Sequence, residues 1–214
     1  LLGFKMLRYD IAYDGKEVGC LSKSMVSEGN KILTEGVSYL TGYDITYNPE
    51  NKESKKQYSF QLICKALNSF KFNHFIQNFI HIIILDSIIG NGDRHQENWG
   101  ILTDENEFVK IVKELSTKKL PKKILFSLIT MTTKATQKEI EHILKKIGLS
   151  TMPGKFSPIY DSGSCLGREL SDDKIKQILS NDKNMELYIK KGLSEIHWEG
   201  KKLNHFDLIN KIKN

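Results

Sequence analysis

The chain contains 214 residues, 39% of them hydrophobic, which is enough to bury a core in one or two domains. The densest apolar run, residues 79–89, is too short to span a membrane and is interrupted by His81 and Asp86, so it predicts a buried helix. Three scattered cysteines argue against a disulfide framework or a zinc site. The net charge of +6 comes from dispersed lysines, which favours solvated surfaces over a nucleic-acid partner.

The first residues, Leu1-Leu2-Gly3, lack the basic start and the cleavage site of a signal peptide. A cytoplasmic location is therefore expected, with secretion or delivery to a host cell without a signal peptide as the alternative. The same residues resemble the end of a helix whose body is missing, so we expect the sequence to be a fragment.

A β-hairpin is predicted near the start of the chain. Residues 7–13 and 16–22 alternate in polarity around Asp14-Gly15, a pair suited to a two-residue turn. Residues 26–35 are interpreted as a loop that leaves the hairpin, and residues 48–56 as a polar connector.

Two helices are predicted next, at residues 59–70 and 71–89. Apolar side chains of the second helix recur at spacings of three and four and form a wide stripe: Phe72, Phe75, Ile76, Phe79, Ile80, Ile83 and Ile84. The helix is predicted to end at Gly90-Asn91-Gly92, ahead of a short strand at Ile101-Leu102.

The remaining elements are predominantly helical. Two helices are predicted at residues 121–130 and 136–147, and a strand and loop at residues 156–163. Residues 99–102 and 156–160 could pair as strands. Helices are predicted in the C-terminal part at residues 172–180, 184–191 and 204–213, and His197-Trp198 is predicted to be part of a packed C-terminal lobe.

The loop after the long helix carries the residues that indicate chemistry. Its sequence, GNGDRHQENWG, places Asn98 five residues after Asp93, and a second carboxylate, Asp161, follows in the segment YDSG. Phosphoryl transfer from ATP needs a group that accepts a hydroxyl proton and oxygen ligands that hold Mg²⁺ over the phosphates. The spacing matches that of a kinase catalytic loop. The sequence therefore predicts a kinase with Asp93 as the base, and with Asn98 and Asp161 as metal ligands.

The residues beside Asp93 allow two interpretations. Arg94 and His95 could contact the γ-phosphate of ATP, or they could hold the loop against the core. His95 is predicted as a candidate residue for both catalysis and nucleotide binding. Asn91 is a candidate turn cap.

Two motifs together resemble the HipA-like serine/threonine kinase family. One is Asn-x-Asp-x-His-x-x-Asn at residues 91–98, and the other is Pro-Ile-Tyr-Asp-Ser-Gly at residues 158–163. The resemblance implies an α/β, protein-kinase-like fold, with the end of an N-lobe and the hinge at residues 1–25. The C-lobe would cover residues 26–214, with a helical insertion at about residues 104–155.

The same resemblance implies an ATP- and Mg²⁺-dependent protein serine/threonine kinase that phosphorylates a protein hydroxyl, including its own. The hinge, whose backbone would meet adenine, would be formed by Ser22, Lys23, Ser24 and Met25. The Gly-rich phosphate loop and the Lys–Glu pair of kinases are not found, and we expect them upstream of Leu1. The chain alone should therefore bind ATP weakly and need the missing N-lobe segment or a partner chain.

Two other functions stay open. The pattern Gly-Asp-Arg-His-x-x-Asn at residues 92–98 also fits phosphoinositide kinases, which phosphorylate lipids. A kinase fold that serves only as an interaction module is the alternative without catalysis. The segment at residues 158–163 favours the protein kinase.

Overall fold

The computed structural model describes residues 3–27, 29–51, 54–106, 154–168 and 170–213. These residues form a mixed α/β structure with two small antiparallel sheets and six α-helices. The helices predicted at residues 121–130 and 136–147 lie outside the described residues. Within the described part, no helix is both long enough and apolar enough to cross a membrane.

The predicted hairpin is present as strands β1 (Tyr9–Tyr13) and β2 (Val18–Ser22), which pair antiparallel with Tyr13 opposite Val18. Four residues, 14–17, connect the strands, and the N–H of Asp14 donates to the backbone oxygen of Glu17 at 3.3 Å, so the two-residue turn is centred on Gly15-Lys16 and not on the predicted Asp14-Gly15. The carboxylate of Asp14 accepts hydrogen bonds from the backbone N–H groups of Lys16 and Glu17, both at 2.9 Å. This side-chain turn stabilises the connection.

The second sheet has the order β3-β4-β5, with β3 at Lys31–Glu35, β4 at Gly100–Asp104 and β5 at Lys155–Phe156. Ile101 lies opposite Phe156, which confirms the predicted pairing of these two segments. The interpretation of residues 31–35 as a loop was wrong, because this short segment pairs along its whole length with β4. The partner strand is far away in sequence, so local pattern alone does not reveal it.

The helices agree closely with the periodicity of the sequence. Helix α2 (Phe60–Ser69) begins after Ser59, whose hydroxyl accepts a hydrogen bond from the N–H of Leu62 at 3.3 Å. Helix α3 (Ile76–Ile89) begins later than predicted, because a 3₁₀ turn at Asn73–Phe75 precedes it. Three further predicted helices are present: α4 (Asp172–Leu179), α5 (Asp182–Lys191) and α6 (His205–Lys213). The structure adds α1 (Gly36–Tyr43) and a 3₁₀ turn at Ser54–Gln57, for which the sequence suggested no element.

The core centres on α2, α3 and the residue that follows the predicted catalytic loop, Trp99. The Trp99 indole is buried, packs edge-on against Phe79 at a centroid distance of 5.1 Å, and stacks on Phe156 at 6.3 Å. Its Nε1 donates a hydrogen bond to the hydroxyl of Tyr58 at 3.2 Å. The end of the loop is thereby fixed to the core. The predicted packing of His197-Trp198 is also confirmed, since His197 is buried and Trp198 stacks on Phe60.

Candidate active site

The C-terminal end of α3 forms the base of the site. Asp86, in the last turn, is 2% exposed, and its backbone oxygen accepts hydrogen bonds from the N–H groups of Gly90 and Asn91. Gly90 ends the helix in the left-handed conformation, with φ +66°, which favours glycine. The buried Asn91 side chain donates to Asp86 Oδ1 at 2.9 Å and accepts from the N–H of Asp93 at 3.3 Å. Asn91 therefore acts as the cap that the sequence suggested.

Arg94 joins the two loops that carry the predicted site residues. Its Nε and Nη2 donate to the two carboxylate oxygens of Asp86 at 2.9 and 2.8 Å. Its Nη1 donates to the backbone oxygens of Asn98 and Tyr160 at 2.9 and 2.6 Å, and Nη2 also donates to the hydroxyl of Ser162 at 3.0 Å. All five N–H groups are thus used, and the residue is 1% exposed. Of the two open interpretations, the structure supports Arg94 as the group that holds the loops, because no N–H is left for a phosphate.

The charge of Arg94 is maintained by its partner. Burial by itself lowers the pKa of Arg94, but the hydrogen bonds and the charge of Asp86 outweigh burial and raise that pKa above its usual value. The result is a buried ion pair with a satisfied guanidinium. The guanidinium of Arg94 donates hydrogen bonds to Asn98 and to the residues before and after Asp161. The loop of Asp93 and the loop of Asp161 therefore lie next to each other.

The loop from Asp93 to Asn98 is closed by two hydrogen bonds. The backbone oxygen of Asp93 accepts from the N–H of His95 and from Nδ2 of Asn98, both at 2.9 Å. Asp93 itself is exposed, whereas Asn98 is buried. The bond to Nδ2 leaves the amide oxygen of Asn98 as the atom that could bind a cation.

Asp161 is exposed and has a left-handed backbone, with φ +51°. Its N–H donates to the hydroxyl of Tyr9 in β1 at 3.1 Å. The preceding residue, Tyr160, donates its hydroxyl to the backbone oxygen of Glu97 at 2.7 Å, a second link between the two loops. Contacts from the hairpin and from the catalytic loop therefore fix the backbone on which Asp161 is carried.

His95 is partly buried, and its Nδ1 lies 2.6 Å from a carboxylate oxygen of Glu97. This contact orients the ring and becomes an ion pair when the imidazole is protonated. Gln96 donates its amide to the other oxygen of Glu97 at 3.1 Å. Glu97 is thus a positioning residue that the spacing of the motif did not reveal.

The predicted hinge lies in the connection between β2 and β3. Ser22 ends β2; Ser22, Lys23 and Ser24 are exposed, and Met25 is partly buried. The Ser24 hydroxyl accepts a hydrogen bond from the N–H of Val26 at 3.3 Å. The part of these residues in adenine binding stays a prediction.

Comparison with known proteins is informative about the fold. No protein-family model and no curated protein matches the sequence. Among solved structures, the chain is similar to a Helicobacter pylori proinflammatory kinase, CtkA, with a TM-score of 0.64 and 18% identity. The chain has a kinase-like fold. The likeness covers 100% of this chain but 58% of the length of CtkA. It confirms the expected α/β kinase-like fold, while membership of the HipA-like family stays a prediction.

The oxygen groups of the site fit a magnesium ion better than a transition metal. The described residues contain no cluster of three or more histidine, cysteine, aspartate or glutamate side chains able to hold a metal. Mg²⁺ does not need such a cluster, because it commonly takes one or two protein oxygens and completes its shell with phosphates and water. The exposed Asp161 and the amide oxygen of Asn98 supply oxygens of the kind that Mg²⁺ prefers.

Sequence reasoning overlooked Asp86, and a signal for it existed. A single carboxylate within an apolar helix is costly to bury unless a cation accompanies it. Arg94 follows eight residues later, immediately beyond the helix. That pair could have been predicted from hydropathy and charge together, whereas the contribution of Tyr9 depends on tertiary structure alone.

Proposed function

We propose that the chain is the catalytic lobe of an ATP- and Mg²⁺-dependent protein serine/threonine kinase of the HipA-like type. One observation carries the proposal: Arg94 binds the two loops together within a kinase-like fold, beside an exposed carboxylate on each loop. Phosphoryl transfer depends mainly on positioning and on charge stabilisation, so a rigid pair of loops suits this reaction.

In the proposed reaction, the Asp93 carboxylate accepts the proton of the acceptor hydroxyl as the γ-phosphate is transferred. Asn98 and Asp161 would hold Mg²⁺, which neutralises charge on the phosphates when bound. His95, oriented by Glu97, would contact the nucleotide. The backbone of residues 22–25 would meet adenine, and the rest of the nucleotide site would come from a further N-lobe segment or a partner chain.

The proposed acceptor is a protein hydroxyl, either on another protein or on the kinase itself. A cytoplasmic location fits this substrate, and export to a host cell is the alternative. The lipid-kinase alternative shares the pattern of residues 92–98, so the two differ in the acceptor and not in the predicted base.

The test uses the protein with the proposed N-lobe segment, Mg²⁺ and ATP labelled on the γ-phosphate. The Asp93→Asn variant should lower transfer by roughly 100- to 10,000-fold with little change in nucleotide affinity, because it removes only the base. Asp161→Asn should lower both the transfer rate and the nucleotide affinity, since a charged metal ligand is lost. The matched control is Asp172→Asn, an exposed position in the first turn of α4, which should leave the transfer rate and the nucleotide affinity unchanged.

The acceptor is tested in parallel with a protein and with phosphatidylinositol vesicles. Labelled lipid without labelled protein would replace the proposal with the lipid-kinase alternative. Nucleotide binding without transfer to either acceptor would support a non-catalytic module. Near-normal turnover by Asp93→Asn or Asp161→Asn would contradict the assigned roles.

A further inference from the structure

A series of side-chain hydrogen bonds runs from the buried Tyr47 to His95. The hydroxyl of Tyr47 lies 3.3 Å from Oε1 of Gln96, and Nε2 of Gln96 lies 3.1 Å from Oε1 of Glu97. The other carboxylate oxygen of Glu97 lies 2.6 Å from Nδ1 of His95. Tyr47 precedes Gln96 by 49 residues, so the series connects two distant segments of the chain.

The chemistry of the four groups determines the direction of every bond. A carboxylate can only accept, so the amide nitrogen of Gln96 and Nδ1 of His95 both donate to Glu97. The amide oxygen of Gln96 then faces Tyr47, whose hydroxyl donates to it. Burial, followed by the charges of Glu97 and Glu195, raises the pKa of Tyr47, so this hydroxyl keeps the proton that it donates.

These directions determine which nitrogen of His95 is available to a ligand. Nδ1 keeps its proton toward Glu97 whether or not the ring is charged, which leaves Nε2. Within the described residues, Nε2 makes no hydrogen bond, and it is accessible to solvent in a side chain that is 36% exposed. The ring therefore presents one defined nitrogen from the loop that carries Asp93.

Both ends of the series are attached to helix α1. The backbone oxygen of Gln96 accepts a hydrogen bond from the N–H of Val37, in the first turn of α1, at 3.0 Å. The N–H of Tyr47 donates to the backbone oxygen of Asp44, which caps the C-terminal end of α1, also at 3.0 Å. The orientation of His95 therefore depends on α1 and the turn after it, as well as on its own loop.

We propose that Tyr47 and Gln96 are positioning residues that act through Glu97 to present Nε2 of His95 to the bound nucleotide. These roles rest on the proposed function, in which His95 contacts the nucleotide. If Tyr47 acts through His95, removing its hydroxyl should matter only while the imidazole is present. A purely structural role would be independent of the imidazole, and a double-mutant cycle separates the two cases.

The first test is a long-range ¹H–¹⁵N NMR spectrum of the protein, which does not depend on enzymatic activity. In a neutral imidazole, the protonated and unprotonated nitrogens differ widely in ¹⁵N chemical shift, and the signals missing from His95→Ala identify the ring. We expect the Nδ1–H tautomer in the unmodified protein and mainly the Nε2–H tautomer in Glu97→Met, which lacks the acceptor. Tyr47→Phe and Gln96→Met should each raise the Nε2–H population, because the carboxylate is then held less firmly.

The second test measures phosphate transfer by the protein with the proposed N-lobe segment. Tyr47→Phe should lower the rate roughly two- to tenfold, the size of one neutral hydrogen bond, and should lower it no further in the His95→Ala background. The matched control is Tyr43→Phe, at the exposed end of α1, which should change neither the rate nor the tautomer of His95. Thermal unfolding shows whether each variant is folded, and Gln96→Met replaces Tyr47→Phe in the cycle if the latter is not.

Three results would overturn the proposed positioning roles. They are an Nε2–H tautomer in the unmodified protein, an unchanged tautomer in both Tyr47→Phe and Gln96→Met, and an equal effect of Tyr47→Phe with and without the His95 imidazole. If the spectra show the expected tautomers but no acceptor is phosphorylated, the proposed function is wrong, while the positioning of His95 by Tyr47 and Gln96 is upheld.

Discussion

At the scale of single residues, the ion pair of Asp86 and Arg94 does more than neutralise a buried charge. Asp86 also holds Asn91, and Arg94 also holds the backbone oxygens of Asn98 and Tyr160. A lysine could supply the charge but has only three donors on one atom, so it could not make the same set of contacts. The pair therefore links the stability of the helix end to the geometry of both loops.

This link predicts different outcomes for stability and for activity. Arg94→Met should lower the free energy of unfolding by about 3–5 kcal/mol, because it leaves Asp86 buried and unpaired. The double variant Arg94→Met/Asp86→Leu should recover part of that loss, since no unpaired charge remains. Phosphate transfer should stay low in the double variant, because Asn98 and Tyr160 have still lost their donor. Urea unfolding and the labelled-ATP assay measure the two effects.

A surface ion pair provides the control. Arg8 and Asp10 also pair, at 2.9 Å, but both side chains are exposed, so Arg8→Met should change the free energy of unfolding by less than about 1 kcal/mol. Full recovery of phosphate transfer in the double variant would show that Arg94 contributes stability alone and does not position the loops.

At the scale of elements, the junction of β3 with α1 depends on a residue without a side chain. The N–H of Gly36 donates to the backbone oxygen of Trp99 at 2.8 Å, and a Cβ at this position would overlap the Trp99 indole. Gly36→Ala should therefore destabilise the protein by about 1–3 kcal/mol, the usual cost of overpacking a core. Gly19→Ala in β2, where a Cβ would meet nothing within 4 Å, is the matched control. Equal urea midpoints for the two variants would contradict this account of the junction.

Elements with a strong local signal were predictable, and elements defined by distant partners were not. Helix α2 has a cap and a periodic apolar face, and α3 ends at Gly90, so both followed from sequence. Strand β3 and helix α1 did not, because β3 is specified by its pairing with β4 and α1 by its packing next to Trp99.

The same distinction holds for the site. The spacing of Asp93 and Asn98 and the loop of Asp161 were visible in the sequence, and the structure brings these loops together. The groups that position them were overlooked, because Asp86, Glu97 and Tyr9 act through contacts that the motifs do not contain. The catalytic and metal-binding roles of Asp93, Asn98 and Asp161 stay predictions.

At the scale of the whole molecule, the β1–β2 hairpin stands out because it is largely uncovered. Ile11 is 87% exposed and Val18 is 75% exposed, and a hairpin of two strands is marginally stable on its own. Its connections to the rest of the described chain lie near its base, where Leu7 donates its N–H to the oxygen of Ile159 at 2.8 Å and the hydroxyl of Tyr9 accepts from the N–H of Asp161. We propose that a further N-lobe segment, or a partner chain, covers the exposed face.

Covering the hairpin should affect both its dynamics and the activity of the site. In the 214-residue chain, we expect backbone amides of β1 and β2 to exchange with solvent much faster than those of buried α3. With the proposed N-lobe segment or partner chain bound, the hairpin amides should become protected while those of α3 change little, as hydrogen exchange followed by mass spectrometry would reveal. The N–H of Asp161 donates a hydrogen bond to the hairpin residue Tyr9. A less mobile hairpin should therefore also restrict the motion of Asp161, the predicted metal ligand.

The activity of the two forms should differ accordingly. Since the proposed phosphate transfer depends on positioning, the 214-residue chain alone should transfer phosphate roughly 100-fold more slowly than the chain joined to the proposed N-lobe segment, and the same segment added in trans should restore part of the rate. Tyr9→Phe should lower the rate, because it removes the hydroxyl that accepts a hydrogen bond from the N–H of Asp161, whereas Tyr13→Phe, at the exposed far end of β1, should not. Equal rates with and without the proposed N-lobe segment would contradict the need for a covering segment, because the two loops would then be held sufficiently by Arg94 alone.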